Sequence, residues 1–243
     1  MRFFLKWFAA LAATTILCSL CILYLDVPIA RLFLVNYEKF TVIGYVFRSR
    51  FLIFLITCMI LSLLIMRIIR GHIPQIGETL AVAGLSAISA FLINDFVLKR
   101  IFSRQYVLEF FSHPINSGFQ LFAGDINSGF PSGHAVLVSA ALFVVARVYC
   151  RMLPLIVMTL SIIGAVLLFG DWHFLSDILA GMFVGASAGT LVGEHMKARF
   201  SKLLEVRNDS PIKFREFLKS PLSDLIHGRM DQVTHSPERL LDS

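Results

Sequence analysis

Residues 173–193 read HFLSDILAGMFVGASAGTLVG. After Asp177 the stretch carries no charge, and glycine recurs at Gly181, Gly185, Gly189 and Gly193. A helix needs about 20 mainly apolar residues to cross the hydrocarbon layer, so this segment is expected to span a membrane. In lipid, helices associate through close packing, and small residues four apart let two backbones approach. Each step of four drifts by about 40° around an ideal helix, so the glycine ridge spirals and only neighbours align. The expected partner is the apolar segment after His134, met through Ala135, Ser139 and Ala140. Working outward, apolar runs mark six candidate spans: 5–25, 51–69, 76–98, 134–150, 153–170 and 174–194. The expected fold class is all-α, a polytopic six-helix membrane bundle with an outward-facing site. It falls into three parts: 1–75 with two spans and an outer loop, a core at 76–196, and a tail at 197–243.

Composition agrees. The chain is 57% hydrophobic and only 16% charged, against about 25% charged in a soluble domain. Its net charge of +6 does not point to nucleic acid, because the cations stand beside apolar spans, where they set topology. Arg2 and Lys6, Arg67 and Arg70, Arg147 and Arg151, and Lys197, Arg199 and Lys202 all fall on one side of an alternating bundle. Both termini are therefore expected in the cytoplasm, with 99–133 and 170–173 outside. Arg31, Lys39, Arg48 and Arg50, in the long aromatic loop after the first span, run against this pattern. The first apolar run reads as an uncleaved helix, since no small-residue cleavage site precedes Asp26. Cys18, Cys21, Cys58 and Cys150 show no metal-type spacing and no disulfide framework, and read as packing residues. The tail carries Pro211, Pro221 and Pro237 and offers short apolar faces around Phe214 and Leu222, but no chemistry.

Three blocks carry chemistry. In Phe130-Pro131-Ser132-Gly133-His134 a helix begins. Its unpaired N–H groups and positive dipole end suit a phosphate, Ser132 adds a hydroxyl, and Gly133 lets an oxygen approach the backbone. His134 in the first turn can give a proton to a leaving oxygen. The plainer reading is that Ser132 only caps the helix. His173 and Asp177 are four apart and share a helix face. A carboxylate on one ring nitrogen fixes the tautomer and leaves the other nitrogen to attack; the plainer reading is an interfacial cap beside an incidental histidine. Lys99 and Arg104 serve either as snorkelling anchors or as a phosphate clamp, with Asp95 placed one turn before Lys99 to hold it.

In this order, Lys99…Arg104, Pro131-Ser132-Gly133-His134 and His173…Asp177 resemble the blocks of the type 2 phosphatidic-acid phosphatase family, over residues 76–190. Gly118-Phe119-Gln120-Leu121-Phe122 and Trp172–Asp177 look like its bacterial inner-membrane branch. The resemblance implies metal-independent hydrolysis of a lipid phosphate, a phosphomonoester or diphosphate, through a phosphohistidine and without a cofactor. It implies His173 as nucleophile, Asp177 as its support, His134 as proton donor, and Lys99, Arg104, Ser132 and Gly133 as phosphate ligands. The implied partners are the lipid substrate and membrane lipids, the implied location is the inner membrane, and the site faces the periplasm. The loop at 105–130, with His113, Gln120 and Asp125, is expected to shape a headgroup pocket. Two positions depart from the family pattern. The arginine seven after the lysine is Tyr106, leaving Arg104 or Arg100 to stand in. The arginine six before the second histidine is Leu167. That deficit keeps two alternatives open: a phosphotransferase using the same phosphohistidine, and a non-catalytic lipid-phosphate binder.

Overall fold

Every regular element among the described residues is helical, and extended backbone pairs only in an isolated bridge between Arg104 and Phe119. The computed structural model describes residues 2–33, 49–112, 118–124, 128–170 and 173–209. The chain divides into two units, Met1–Met196 and Lys197–Ser243. In the first, α1 (Arg2–Leu20) runs through a π-helical turn, Cys21–Leu25, into α2 (Asp26–Phe33). Next comes α3 (Ser49–Arg70). Then α4 (Gln75–Ile93) passes through a second π-helical turn, Asn94–Leu98, into α5 (Lys99–Phe102). A short α6 (Val107–Ser112) precedes α7 (Gly133–Val148), α8 (Leu153–Phe169) and α9 (Leu175–Asp209).

Among the described residues, five apolar helical stretches are long enough to cross a membrane: Phe4–Phe33, Phe51–Arg70, Gln75–Phe102, Cys150–Phe169 and Leu175–Lys202. The protein is a multi-pass membrane protein. The sixth expected span, 134–150, forms the 16-residue α7. At about 1.5 Å per residue it is shorter than the roughly 30 Å hydrocarbon layer. Three helices overrun their expected ends by four residues or more, the last of them running past 194 to Asp209. The first continues past 25 to Phe33 and the third past 98 to Phe102, each through a π-helical turn. Such turns insert a residue into the helical ladder and recur at functional sites. Here the overrun keeps Asp26 and Lys99 inside the bundle, where both are buried. The expected surface helices of the tail, and His113 and Asp125 of the pocket loop, lie outside the described residues.

α7 is the centre of the packing. Val136, Leu137 and Ala140 meet Ala87, Ala90 and Phe91 of α4, with Leu52, Ile53 and Ile56 of α3 behind them. Toward α8, Ala135 joins Leu167 and Ile178, and Ala146 joins Ile156 and Leu160. The turn between α7 and α8 is tight because Pro154 sits in the first turn of α8, where its missing N–H costs nothing. The glycine ridge of α9 meets the partner its spacing implied. A Cβ on Gly181 would lie 2.6 Å from the Ser132 carbonyl oxygen, and one on Gly193 2.6 Å from Arg147 Cβ. One on Gly185 would strike the Ser139 hydroxyl and the Val136 carbonyl. Backbone atoms cannot swing aside, so Gly185→Val is expected to cost about 1–3 kcal/mol through overpacking. Melting of the detergent-purified protein will show this, while Leu191→Ala on the exposed face of α9 should leave the melting temperature almost unchanged.

Candidate active site

The N-termini of α7 and α9 are tied together by main-chain contacts. Ser132 has extended backbone, and its Oγ accepts the Ala135 N–H at 3.5 Å, a long capping bond. Its own N–H donates to the Asp177 carbonyl at 3.0 Å. The π-helical turn after α4 swings Asn94 inward, and its Nδ2 donates to the Pro131 carbonyl at 3.2 Å. These bonds bring the second and third sequence blocks into register. The rings of His134 and His173 consequently stand 6.1 Å apart, edge to face at 68°. Edge-to-face rings at this separation are within contact range, so the two imidazoles converge on one point of the site.

His173 is buried, and its Nδ1 faces Asp177 Oδ2 at 3.7 Å. That is ion-pair range but longer than a hydrogen bond, and such contacts often tighten only when substrate binds. Asp177 Oδ2 also accepts the Phe174 N–H at 2.9 Å. Lys99 Nζ pairs with Asp95 Oδ1 at 2.8 Å, the i,i+4 pair read from the sequence. The same Nζ lies 3.8 Å from where a Cβ on Gly133 would stand, which sets a cation at the first turn of α7. A Cβ there would also come within 2.9 Å of the Phe91 ring, so only glycine fits.

Arg104 is placed differently from the expected phosphate ligand. Its guanidinium is clasped between the rings of Phe174 and Phe119, 4.1 and 4.6 Å from their centroids. Nη1 donates to Asp177 Oδ1 at 2.5 Å and to Ser176 Oγ at 2.7 Å, while Nη2 donates to Asp26 Oδ2 at 2.8 Å. A cation committed to two buried carboxylates has its charge already balanced. The structure therefore brings His134, His173, Asp177, Ser132, Gly133 and Lys99 together, and sets Arg104 against the other oxygen of Asp177. Sequence reading did not assign Asp26, Ser176 and Asn94 any role here. Asp26 had a legible signal, an acid at the end of an apolar run, where a charge is expensive without a partner.

Neither position expected to hold a further arginine supplies a cation. Tyr106 packs its ring 5.7 Å from His173. Leu167 is buried in the apolar cluster with Ala135 and Ile178. Arg100 does not compensate, since it is exposed and lies over Phe96. Leu167→Arg is accordingly expected to add no phosphate ligand. An unpaired buried charge costs about 3–5 kcal/mol, and a lowered melting temperature with no gain in phosphate release is the expected result.

A family model, that of the PAP2 superfamily, matches residues 79–200, which covers all three sequence blocks and about half of the chain. The chain belongs to the PAP2 superfamily. No curated protein and no solved structure matches it. PAP2 membership supports a phosphatase-type activity on phosphate esters. The PAP2 region begins within α4 and so excludes α1, α2 and Asp26.

Proposed function

We propose that this PAP2 protein is a lipid phosphatase, hydrolysing a phosphomonoester or diphosphate of a lipid through a phosphohistidine on His173. The observation that carries the reading is the edge-to-face approach of His134 and His173 at the joined starts of α7 and α9. Lys99, the Ser132 hydroxyl and the first N–H groups of α7 bind the phosphoryl oxygens. The Nε2 lone pair of His173 attacks phosphorus. The bond to the lipid oxygen breaks, its electron pair stays on that oxygen, and His134 supplies the proton. Asp177 holds the imidazole through Nδ1 and stabilises its positive charge. In the second step a water gives its proton to His134 and attacks phosphorus. The N–P bond breaks back onto the imidazole, and inorganic phosphate leaves. No step needs a metal or a cofactor. Arg104 acts here by fixing Asp177 through Nη1, and its buried Nε, which has no hydrogen-bond partner among the described residues, is the donor it keeps for a phosphoryl oxygen.

A lipid substrate suits a site carried at the ends of membrane-spanning helices. The placement of Lys and Arg beside the spans supports a site facing the periplasm of a bacterial inner membrane, with both termini cytoplasmic. A periplasm-active reporter fused after Ser117 should give signal, and silence there reverses the orientation. The direct test of activity is purified full-length protein offered phosphatidic acid, phosphatidylglycerol phosphate, undecaprenyl diphosphate and lipid A phosphates. Phosphate release from at least one is the expected result. A phosphorylated lipid acceptor in place of free phosphate would identify a phosphotransferase. The buried Leu167 and the balanced charge of Arg104 favour one competing reading, a non-catalytic binder, and binding of a lipid phosphate without any turnover would establish it.

A further inference from the structure

We infer that Asp26, on the first membrane helix and outside the PAP2 region, is a positioning residue for the catalytic pair, an inference that rests on the phosphatase reading. Asp26 is 1% exposed, and an isolated carboxylate at such a place would be very costly. It is not isolated. Its Oδ1 accepts the Ser176 N–H at 3.0 Å. Its Oδ2 accepts the Ser176 hydroxyl at 2.5 Å and Arg104 Nη2 at 2.8 Å. Ser176 is the residue before Asp177, in the first turn of α9. Asp26 therefore holds the start of α9 through Ser176, and holds Arg104, the other ligand of Asp177.

The electrostatics give this contact a function beyond packing. One guanidinium is shared by two carboxylates, Asp26 on Nη2 and Asp177 on Nη1. The cluster of three carries one net negative charge. With Asp26 present, Arg104 cannot neutralise Asp177 completely, and Asp177 keeps negative charge for the imidazole of His173. Remove the Asp26 charge and Arg104 is left to Asp177 alone. Asp177 then supports a positive His173 less well, and the attacking nitrogen is no longer held as the bare one. The π-helical turn at Cys21–Leu25 directly precedes Asp26, which opens α2. α1 and α2 are thus a working part of the site as well as a membrane anchor.

Asp26→Asn tests this. It keeps the shape and an oxygen for the Ser176 N–H, removes the charge, and puts an amide NH2 where Oδ2 accepted from Arg104 and the Ser176 hydroxyl. In full-length protein kcat on a responsive lipid phosphate should fall about 10–100-fold with KM changed less than about 3-fold, because Asp26 does not touch substrate. Combined with Arg104→Gln, it should cost little beyond Arg104→Gln alone, the signature of two residues acting as one unit. A substrate-free readout is nitrogen NMR of histidine-labelled protein, with the His173 signals assigned through His173→Gln. The Asp177 charge 3.7 Å from Nδ1 should bias wild type toward the Nδ1–H tautomer, and Asp26→Asn should shift that balance. Unchanged kcat and unchanged His173 signals would overturn the inference. So would a loss explained wholly by a smaller folded fraction of normal specific activity. If wild type releases no phosphate from any lipid while Asp26→Asn still shifts the His173 signals, the phosphatase reading falls and the positioning role stands.

Discussion

His173→Ala is expected to lower phosphate release by at least about 1,000-fold, since removing the nucleophile of a coupled catalytic set costs nearly as much as removing the set. The fold should survive the change. His173 faces Asp177 at a distance beyond hydrogen bonding, so the truncation frees no strongly held group, and Asp177 keeps the Phe174 N–H and Arg104. Melting temperature within a few degrees of wild type, together with abolished turnover, is the pattern a nucleophile produces. His134→Ala should cost about 100–10,000-fold, the usual range for a positioned general acid. Its loss should shrink for a lipid diphosphate, whose leaving group departs without a proton more readily than an alkoxide. Equal losses for monoester and diphosphate would argue against His134 as proton donor.

Arg104→Ala should show the largest effect on stability. It strands Asp26 and Asp177, whose side chains are fully buried, and removes a guanidinium stacked between two aromatic rings. Breaking a buried ion pair by deleting one partner costs about 3–5 kcal/mol. Little folded protein is expected at 37 °C, and a much lower melting temperature at best. Arg104→Lys should recover part of the stability but not the activity, because one ammonium cannot reproduce the fork to Asp26, Ser176 and Asp177. The outcome separates two roles. A phosphate ligand would raise KM and leave the melting temperature alone, whereas a structural clasp lowers the melting temperature first.

What the sequence made legible follows from how locally each feature is encoded. The Gly181–Gly193 ridge lies within one helix, so its spacing alone predicted close packing, and Ala135 and Ser139 of α7 were readable as its partner. The Lys99–Asp95 pair was equally readable, one turn apart on one helix. The Arg104 clasp was not. Its carboxylates stand 78 residues upstream and 73 downstream, and no periodicity connects them. The two π-helical turns were also hidden. The first changes register inside an apolar run, which looks the same in either register, and the second does so across Asn94 and Asp95 with no break in the helix. Length misled in the opposite sense at α7, where apolar sequence continues past the helix end at Val148 into the turn before α8. Leu167 was visible as a departure, but that it belongs to the apolar cluster of Ala135 and Ile178 required the packing.

The central claim is that His173 forms a bond to phosphorus, and trapping that bond tests it most directly. Purified full-length protein is mixed with a lipid phosphate labelled at phosphorus and quenched in alkali within one turnover, conditions under which a phosphohistidine survives. Label on the protein that is alkali-stable, acid-labile and located by peptide mapping at His173, and that disappears in His173→Ala, is the predicted result. Phosphate released at the wild-type rate with no label on His173, or with label on another residue, would contradict it.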